Sequence, residues 1–548
     1  MKMTLKHLPA ASCSGERGTA QTDVGFKPSR RGILKAAAAF IGTGYAGGAW
    51  GQGAPLGQAS SLTFEDLVDR ARASASQPFV PPVVPAPDLI KKIDYSAHWQ
   101  IRFREDESLY PGDTDAAVQL FHPGRYFPEP VQINLRDENG VSREVIFGED
   151  IFTMPHDSPA HELPPGFGFA GFRVMRPDMG PDWVSFLGAS YFRTDGPARQ
   201  YGLSARGIAI DTGLNRPEEF PRFKAFWLGP PESEREDMSV WAELDGPSIT
   251  GAYRFGLVRD AEGTDGHVTS VSANLFMRAD VERLGIAPLT SMYWYSERDR
   301  IIGADWRPEI HDSDGLALAT GAGERIWRPL NNPELVSTSS FLDENPAGFG
   351  LIQRDHNFDH YQDDGVFYDR RPSAWVRPTS AWGRGAVQLV QIPTGDETFD
   401  NIVAYWVPEQ PARRGDSFRF DYEIEWRAQD PKSDTVATVV ATRQGQGGMP
   451  GQPIPEGVGK FVIDFDGTSL EGLDVDSGVE AVVEAANGVI VKPVAAHPIV
   501  GTKQWRLTFD YKQSGPEAVS LRAYLRLDGR ALTETWLTDA WVKRRSAY

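Results

Sequence analysis

YRFGLVRDAEGTDGHVTSVSANLFM, residues 253–277, decides the fold class. On both sides of a Gly- and Asp-rich centre, apolar and polar residues alternate with a period of two. That is the signature of strands with one buried face, and the Gly/Asp centre supplies a turn. The stretch is expected to be a β-hairpin.

Working outward, similar short segments fill residues 93–427. DYSAHWQIRF, VQINLRD and GAVQLVQIP are examples, each bounded by Gly, Pro, Asn or Asp. With 55 Gly and 41 Pro in 548 residues, turns are plentiful. There is no βαβ alternation, no Gly-rich phosphate loop and no fixed repeat, so a large antiparallel β fold is expected. Ahead of it, SLTFEDLVDRARASAS places Leu62, Phe64, Leu67, Val68 and Ala71 near helical spacing, and a proline-rich stretch follows. RAQDPKSDTVATVVATRQGQGGMPGQPIPEG, 427–457, is expected to be a junction and loop. Beyond it, Val519, Leu521, Ala523, Leu525 and Leu527 alternate with Ser520, Arg522, Tyr524 and Arg526 before an Asp528-Gly529 turn. This predicts a small sandwich of immunoglobulin-like size. The expected division is a leader over 1–51, a catalytic β domain over 52–430 and the small sandwich over 431–548.

Ser29-Arg30-Arg31-Gly32-Ile33-Leu34-Lys35 precedes a short apolar run of about 14 residues, too short to span a bilayer. It resembles a twin-arginine export signal, with cleavage expected after Gly51 or Ala59, and so predicts a periplasmic protein. The one cysteine, Cys13, lies inside it, so the exported chain is expected to form no disulfide. The whole chain carries −19. Residues 1–51 hold seven Lys/Arg and two Asp/Glu, which leaves about −24 on the rest. Such an acidic surface argues against nucleic acid or anionic lipid and suits a neutral substrate.

SMYWYSERDR, ADWRPEIHDSDGL, ERIWRPLNNP and RRPSAWVRP are dense in Trp, Tyr, Arg and Asp. Sugars need flat rings to stack on and polar groups to hold their hydroxyls, and this composition meets that need. HDSDG begins like a calcium loop, but the twelfth position from Asp312 is Gly323 rather than Glu, so no metal is expected. Zinc-type histidine pairing is not expected either, nor any other cofactor. Glycoside hydrolysis needs two carboxyl groups, one protonated. Asp312 and one of Asp396, Glu397 or Asp400 are candidates, and only the fold can bring them together.

Several motifs extend this reading: ASYFRTDGPARQYGLSARGIAIDTG, EEFPRFKAFWLG, WRPEIHDSDGL, WRPLNNP, GFGLIQRD, RRPSAWVRP and IPTGDETFDNIVAYW. Together they resemble the glucans biosynthesis proteins D and G of Gram-negative bacteria, and the leader resembles the D branch. The resemblance covers nearly all of the exported chain. It implies an all-β architecture, a large N-terminal β-supersandwich (galactose mutarotase-like) followed by a small C-terminal immunoglobulin-like β-sandwich. It implies anomer-inverting endo-cleavage of β-1,2-glucan within osmoregulated periplasmic glucan biosynthesis. Asp400 would be the general acid, and Asp312 the base, acting through a relay. Tyr368 and Glu397 would belong to the relay or the site. Arg307, His311, Trp327, Arg370 and Trp375, from the same motifs, are expected to line subsites. An acid that keeps its proton near pH 7 should be desolvated or close to another carboxylate. The family also includes β-1,2-glucan transglycosylases, some of them cyclising, and a non-catalytic glucan-binding scaffold is the competing class. A membrane glucosyltransferase of the same pathway and a second copy of the chain are the protein partners the resemblance allows.

Overall fold

A computed structural model describes residues 54–110, 116–260, 262–263, 266–298, 305–431 and 435–541. The leader and Cys13 lie outside the described residues. The opening hairpin forms as expected. Ile249–Val258 pairs antiparallel with His267–Met277, in unbroken register from Ile249 opposite Met277 to Val258 opposite Val268. Along the second strand His267, Thr269, Val271, Ala273 and Leu275 are buried and the residues between them are half-buried. Gly266 is required at the turn. Its φ is +90°, and a Cβ there would meet the Trp426 carbonyl oxygen at 2.0 Å.

This hairpin is the middle of a 16-stranded sheet. On one side of it lie Met238–Asp245, Arg222–Gly229 and Gln132–Arg136. On the other lie Ser417–Arg427, Ser373–Pro378, Gly348–Ile352, Gly315–Ala319 and Arg325–Pro329. A ten-stranded sheet covers it, centred on Arg384–Gln391, Ile402–Pro408, Leu284–Ser291 and Ser204–Arg206. Aromatic rings lock the two layers. Phe172 meets Phe226 edge-on at 5.1 Å, and Phe186 meets Phe255 at 5.2 Å. Edge-to-face pairs of this kind add to burial of about 1.5–3 kcal/mol per large apolar side chain.

The expected helix spans Phe64–Ala75. Thr63 and Asp66 close a capping box at its start, and Leu67, Val68 and Ala71 seat it on Trp227, Trp241, Ala252 and Phe276. Two local expectations are corrected. DYSAHWQIRF is not a strand: Asp94 accepts the Ala97 amide at 3.0 Å and starts the short helix Tyr95–Trp99, leaving only Arg102–Phe103 extended. The stretch 427–457 is not all junction and loop. It contains the strand Thr438–Gln446, which pairs with Val458–Asp466 and buries Val439.

From Thr438 onward the chain is a two-sheet sandwich. One sheet has the order Thr438–Gln446, Val458–Asp466, Trp505–Gln513, Gly488–Pro498. The other joins Glu480–Ala486, Val519–Leu527 and Thr535–Ala540 to the large sheet itself, because Ile326 and Trp327 pair in parallel with Thr535 and Trp536. Val519, Leu521, Ala523 and Leu525 point inward. The expected Asp528-Gly529 turn has φ of +50° and +80°, the left-handed geometry of a primed hairpin turn. The protein is all-β, built from stacked sheets. No helix among the described residues is long and apolar enough to cross a membrane.

Candidate active site

Two segments about 90 residues apart in sequence meet on three consecutive residues, Ser291, Met292 and Tyr293. The first carries Asp400. Ile402 pairs with Ser291. Asn401 then clamps the chain: its Oδ1 accepts the Tyr293 amide at 2.8 Å, and its Nδ2 donates to the Tyr293 and Ile392 carbonyls, both at 2.9 Å. The second segment carries Asp312, whose amide donates to the Met292 carbonyl at 2.8 Å. Tyr293 pairs with His311, and the Ser291 and Ser313 hydroxyls bond at 2.8 Å. One strand end therefore holds both carboxylate segments in the same neighbourhood.

Asp312 is fully buried. Its Oδ1 lies 3.3 Å from Arg371 Nε, and the Arg371 guanidinium stands 4.9 Å from the Tyr368 ring centre. Tyr368 is buried and donates its hydroxyl to Glu397 Oε2 at 2.6 Å. Burial, and next the Asp312 charge, push the phenol well above its ordinary range, so it keeps its proton. Arg307 donates to Glu397 at 2.8 Å, to Asp363 at 2.7 Å, and through two nitrogens to Asp305 at 2.9 and 3.0 Å. Three carboxylates round one guanidinium fix the position of Glu397.

Asp400 is half-buried and lies within electrostatic reach of Tyr191 and Arg206. Arg206 is itself occupied by Glu218 at 2.7 Å and Thr290 at 2.8 Å. Asp396 accepts the Thr398 amide at 2.8 Å and its hydroxyl at 2.6 Å, which hold its carboxyl below the usual range. It is the cap of an exposed turn.

The match to known proteins covers the same span. The model of the family described as Periplasmic glucan biosynthesis protein, MdoG, matches residues 62–540. The chain belongs to this family. It is 48% identical over 497 residues to Glucans biosynthesis protein D 2 of Ralstonia nicotianae, covering 88% of this chain and 91% of that one. It is 45% identical over 492 residues to Glucans biosynthesis protein D of Stenotrophomonas maltophilia, covering 88% and 90%. The figure for the Probable glucans biosynthesis protein D of Shewanella oneidensis is 44% over 485 residues, covering 88% and 89%. The relatives place it on the D branch.

In this family member the structure separates the remaining expected residues. His311 is sealed in the interior, not on a subsite. Its Nδ1 donates to Gln353 Oε1 at 3.0 Å and its Nε2 to Glu309 Oε2 at 3.1 Å. Burial alone would strip its proton, but Glu309, helped by Asp314 and Asp355, outweighs it and pushes the pKa up to about 9. Trp327 and Trp375 do not line a glucan surface either. Both are buried in the core shared with the C-terminal sandwich, among Trp536, Phe461 and Ile352. Gly315 makes room for Trp327, since a Cβ there would sit 2.1 Å from the indole. Arg370 is half-exposed and leans on Phe367, 4.5 Å away. Its neighbour Arg371 is the one that reaches Asp312.

Sequence reasoning missed Arg371, Gln353, Asn401, Glu309 and Arg206, because none stands in a spacing that signals its partner. It also passed over His356 and His360, which stand four apart. Their rings engage different partners. His356 bonds the Asp369 and Ala428 carbonyls, each at 2.7 Å, while His360 pairs with Asp355. It missed Trp306 as well. This ring is 70% exposed and stands 6.0 Å from the Arg307 guanidinium, a flat apolar face beside the ionic cluster.

Proposed function

We propose that this protein is a periplasmic enzyme of osmoregulated periplasmic glucan biosynthesis that cleaves β-1,2-glucan internally with inversion at the anomeric carbon. Asp400 protonates the glycosidic oxygen as the C1–O bond breaks. Water attacks C1 from the opposite face. Its proton passes to the Tyr368 oxygen while the phenol's own proton passes to Asp312, so the base ends protonated and Tyr368 unchanged. The observation that carries this reading is the sealed position of Asp312. A fully buried carboxylate needs a proton-bearing group between it and the cleft, and Tyr368, itself buried in the free protein, interacts both with Asp312 and with the half-buried Glu397. Tyr368 donates to Glu397 in the free protein, and in the substrate complex the hydroxyl turns to Asp312. Glu397 and Arg307 hold the relay's outer end, and Trp306 offers a stacking face for a glucose ring.

Export by the twin-arginine route, a membrane glucosyltransferase as partner and a homodimer belong to the same proposal. The first rests on Arg30-Arg31 ahead of the apolar run. The test is Asp400→Asn with linear β-1,2-glucan. Turnover should fall at least about a hundredfold while binding persists, as expected for loss of a general acid. Unchanged turnover would remove Asp400 from the role, and no activity in the parent protein would favour a scaffold.

A further inference from the structure

We infer that the C-terminal sandwich is a brace for the base half of the site, and that Arg354, held by Glu534 and Asp430, is the positioning residue that joins them. The link is two adjacent residues facing opposite ways. Gln353 faces the site. Its Oε1 accepts a hydrogen bond from His311 Nδ1 at 3.0 Å, and its Nε2 donates to the Tyr361 hydroxyl at 2.7 Å and the Tyr368 carbonyl at 3.2 Å. Arg354 faces the sandwich. It donates to Glu534 at 2.6 and 3.2 Å, to Asp430 at 2.8 Å and to the Val439 carbonyl at 2.9 Å, with its guanidinium 3.7 Å from the Trp327 ring centre. Glu534 also accepts the Val439 amide at 2.6 Å.

The segment after the base is clipped to the same stretch of chain, on either side of Gln353. Asp314 accepts the Arg354 amide at 3.0 Å and the Asp355 amide at 3.2 Å, and its own amide donates to Ile352 at 2.9 Å. His311, Asp312, Asp314 and Tyr368 thus hang on a strand end whose next side chain is anchored in the sandwich. A second tie runs from the Thr442 amide to Glu297 at 3.1 Å. A buried arginine with two carboxylate partners tolerates few alternative geometries, so its anchor transmits position rather than merely adding stability. Both halves share the Ser291–Tyr293 strand end, but the acid half is clamped there by Asn401 through bonds to Tyr293 and Ile392 that involve neither Arg354 nor the sandwich, so the brace should act mainly on the base half.

The experiment uses the full chain with Glu534→Gln, and Arg354→Lys as a second variant that keeps the charge but loses the fork. Amide hydrogen exchange is followed by mass spectrometry. Peptides covering 310–316 and 352–356 should exchange about tenfold faster, while peptides covering 401–408 stay unchanged. Either unchanged exchange at 310–316 or equal acceleration everywhere, in either variant, would overturn the inference. A second readout rests on the hydrolase reading: turnover of β-1,2-glucan should fall about tenfold with KM held within about twofold. A rise in KM with full turnover would overturn the positioning role. The exchange result stands even if the parent proves inactive on glucan, so failure of the brace and failure of the hydrolase reading are told apart.

Discussion

Replacing Glu309 by Gln should uncouple the protein's stability from the protonation of His311. The buried imidazole holds a proton only because Glu309 takes its Nε2 hydrogen at 3.1 Å, with Asp314 and Asp355 nearby. With the folded pKa at about 9 and the unfolded value at 6.5, the raised pKa adds stability that is complete below 6.5 and disappears as pH rises through 9. The linkage contribution works out at about 2.5 kcal/mol at pH 7 and about 0.2 kcal/mol at pH 9.5. Glutamine keeps one acceptor but no charge, so the His311 pKa should drop by about 2 units or more. Urea unfolding of parent and variant at pH 6.5, 7.5 and 9.5 reads this. The variant should be about 2–3 kcal/mol less stable at the lowest pH, and the two curves should converge at the highest. The imidazole resonance of His311 should titrate near 9 in the parent. A parent titration near 6.5, or a difference in stability that does not shrink with rising pH, would refute the reasoning.

Trp327→Ala should cost about 3–5 kcal/mol of stability, because it empties a fully packed site in the shared core, and should leave glucan affinity unchanged. Calorimetric unfolding and glucan titration check the two halves. Trp306→Ala should behave the opposite way. Stability should change by less than about 0.5 kcal/mol while glucan binding weakens about five- to tenfold, for loss of an exposed stacking face. Intrinsic fluorescence on glucan addition and the midpoint of unfolding check it.

Much of the fold was legible because period-two alternation and turn chemistry are local. The hairpin around Gly266, the 519–527 strand and the Asp528-Gly529 turn are examples. At Tyr95–Trp99 a single capping aspartate outweighs an alternating pattern, and the segment is helical. The strand Thr438–Gln446 was hidden by the Gly, Pro and Gln that follow it. At the site, the segments carrying Asp312 and Asp400 could be found through motif resemblance. Their junction on Ser291 to Tyr293 could not, since it depends on strand order. Arg371 and Arg370 are indistinguishable in the string RRPSAW. The short 3-10 turn Tyr368–Arg370 decides which of them turns inward. Trp327 and Trp375 have the composition of a sugar platform. Which strand face they occupy is settled by the sandwich that covers them.

The central claim is that Asp400 and a buried Asp312 invert the anomeric centre of a β-1,2-linked glucose through Tyr368. The most direct measurement is proton NMR of the reducing ends released from linear β-1,2-glucan in the first minutes of reaction, before mutarotation. The account predicts α-anomers from the parent protein, with a loss of at least about a hundredfold in Asp312→Asn and Tyr368→Phe alike. First-formed β-anomers, or full activity in either variant, would contradict it.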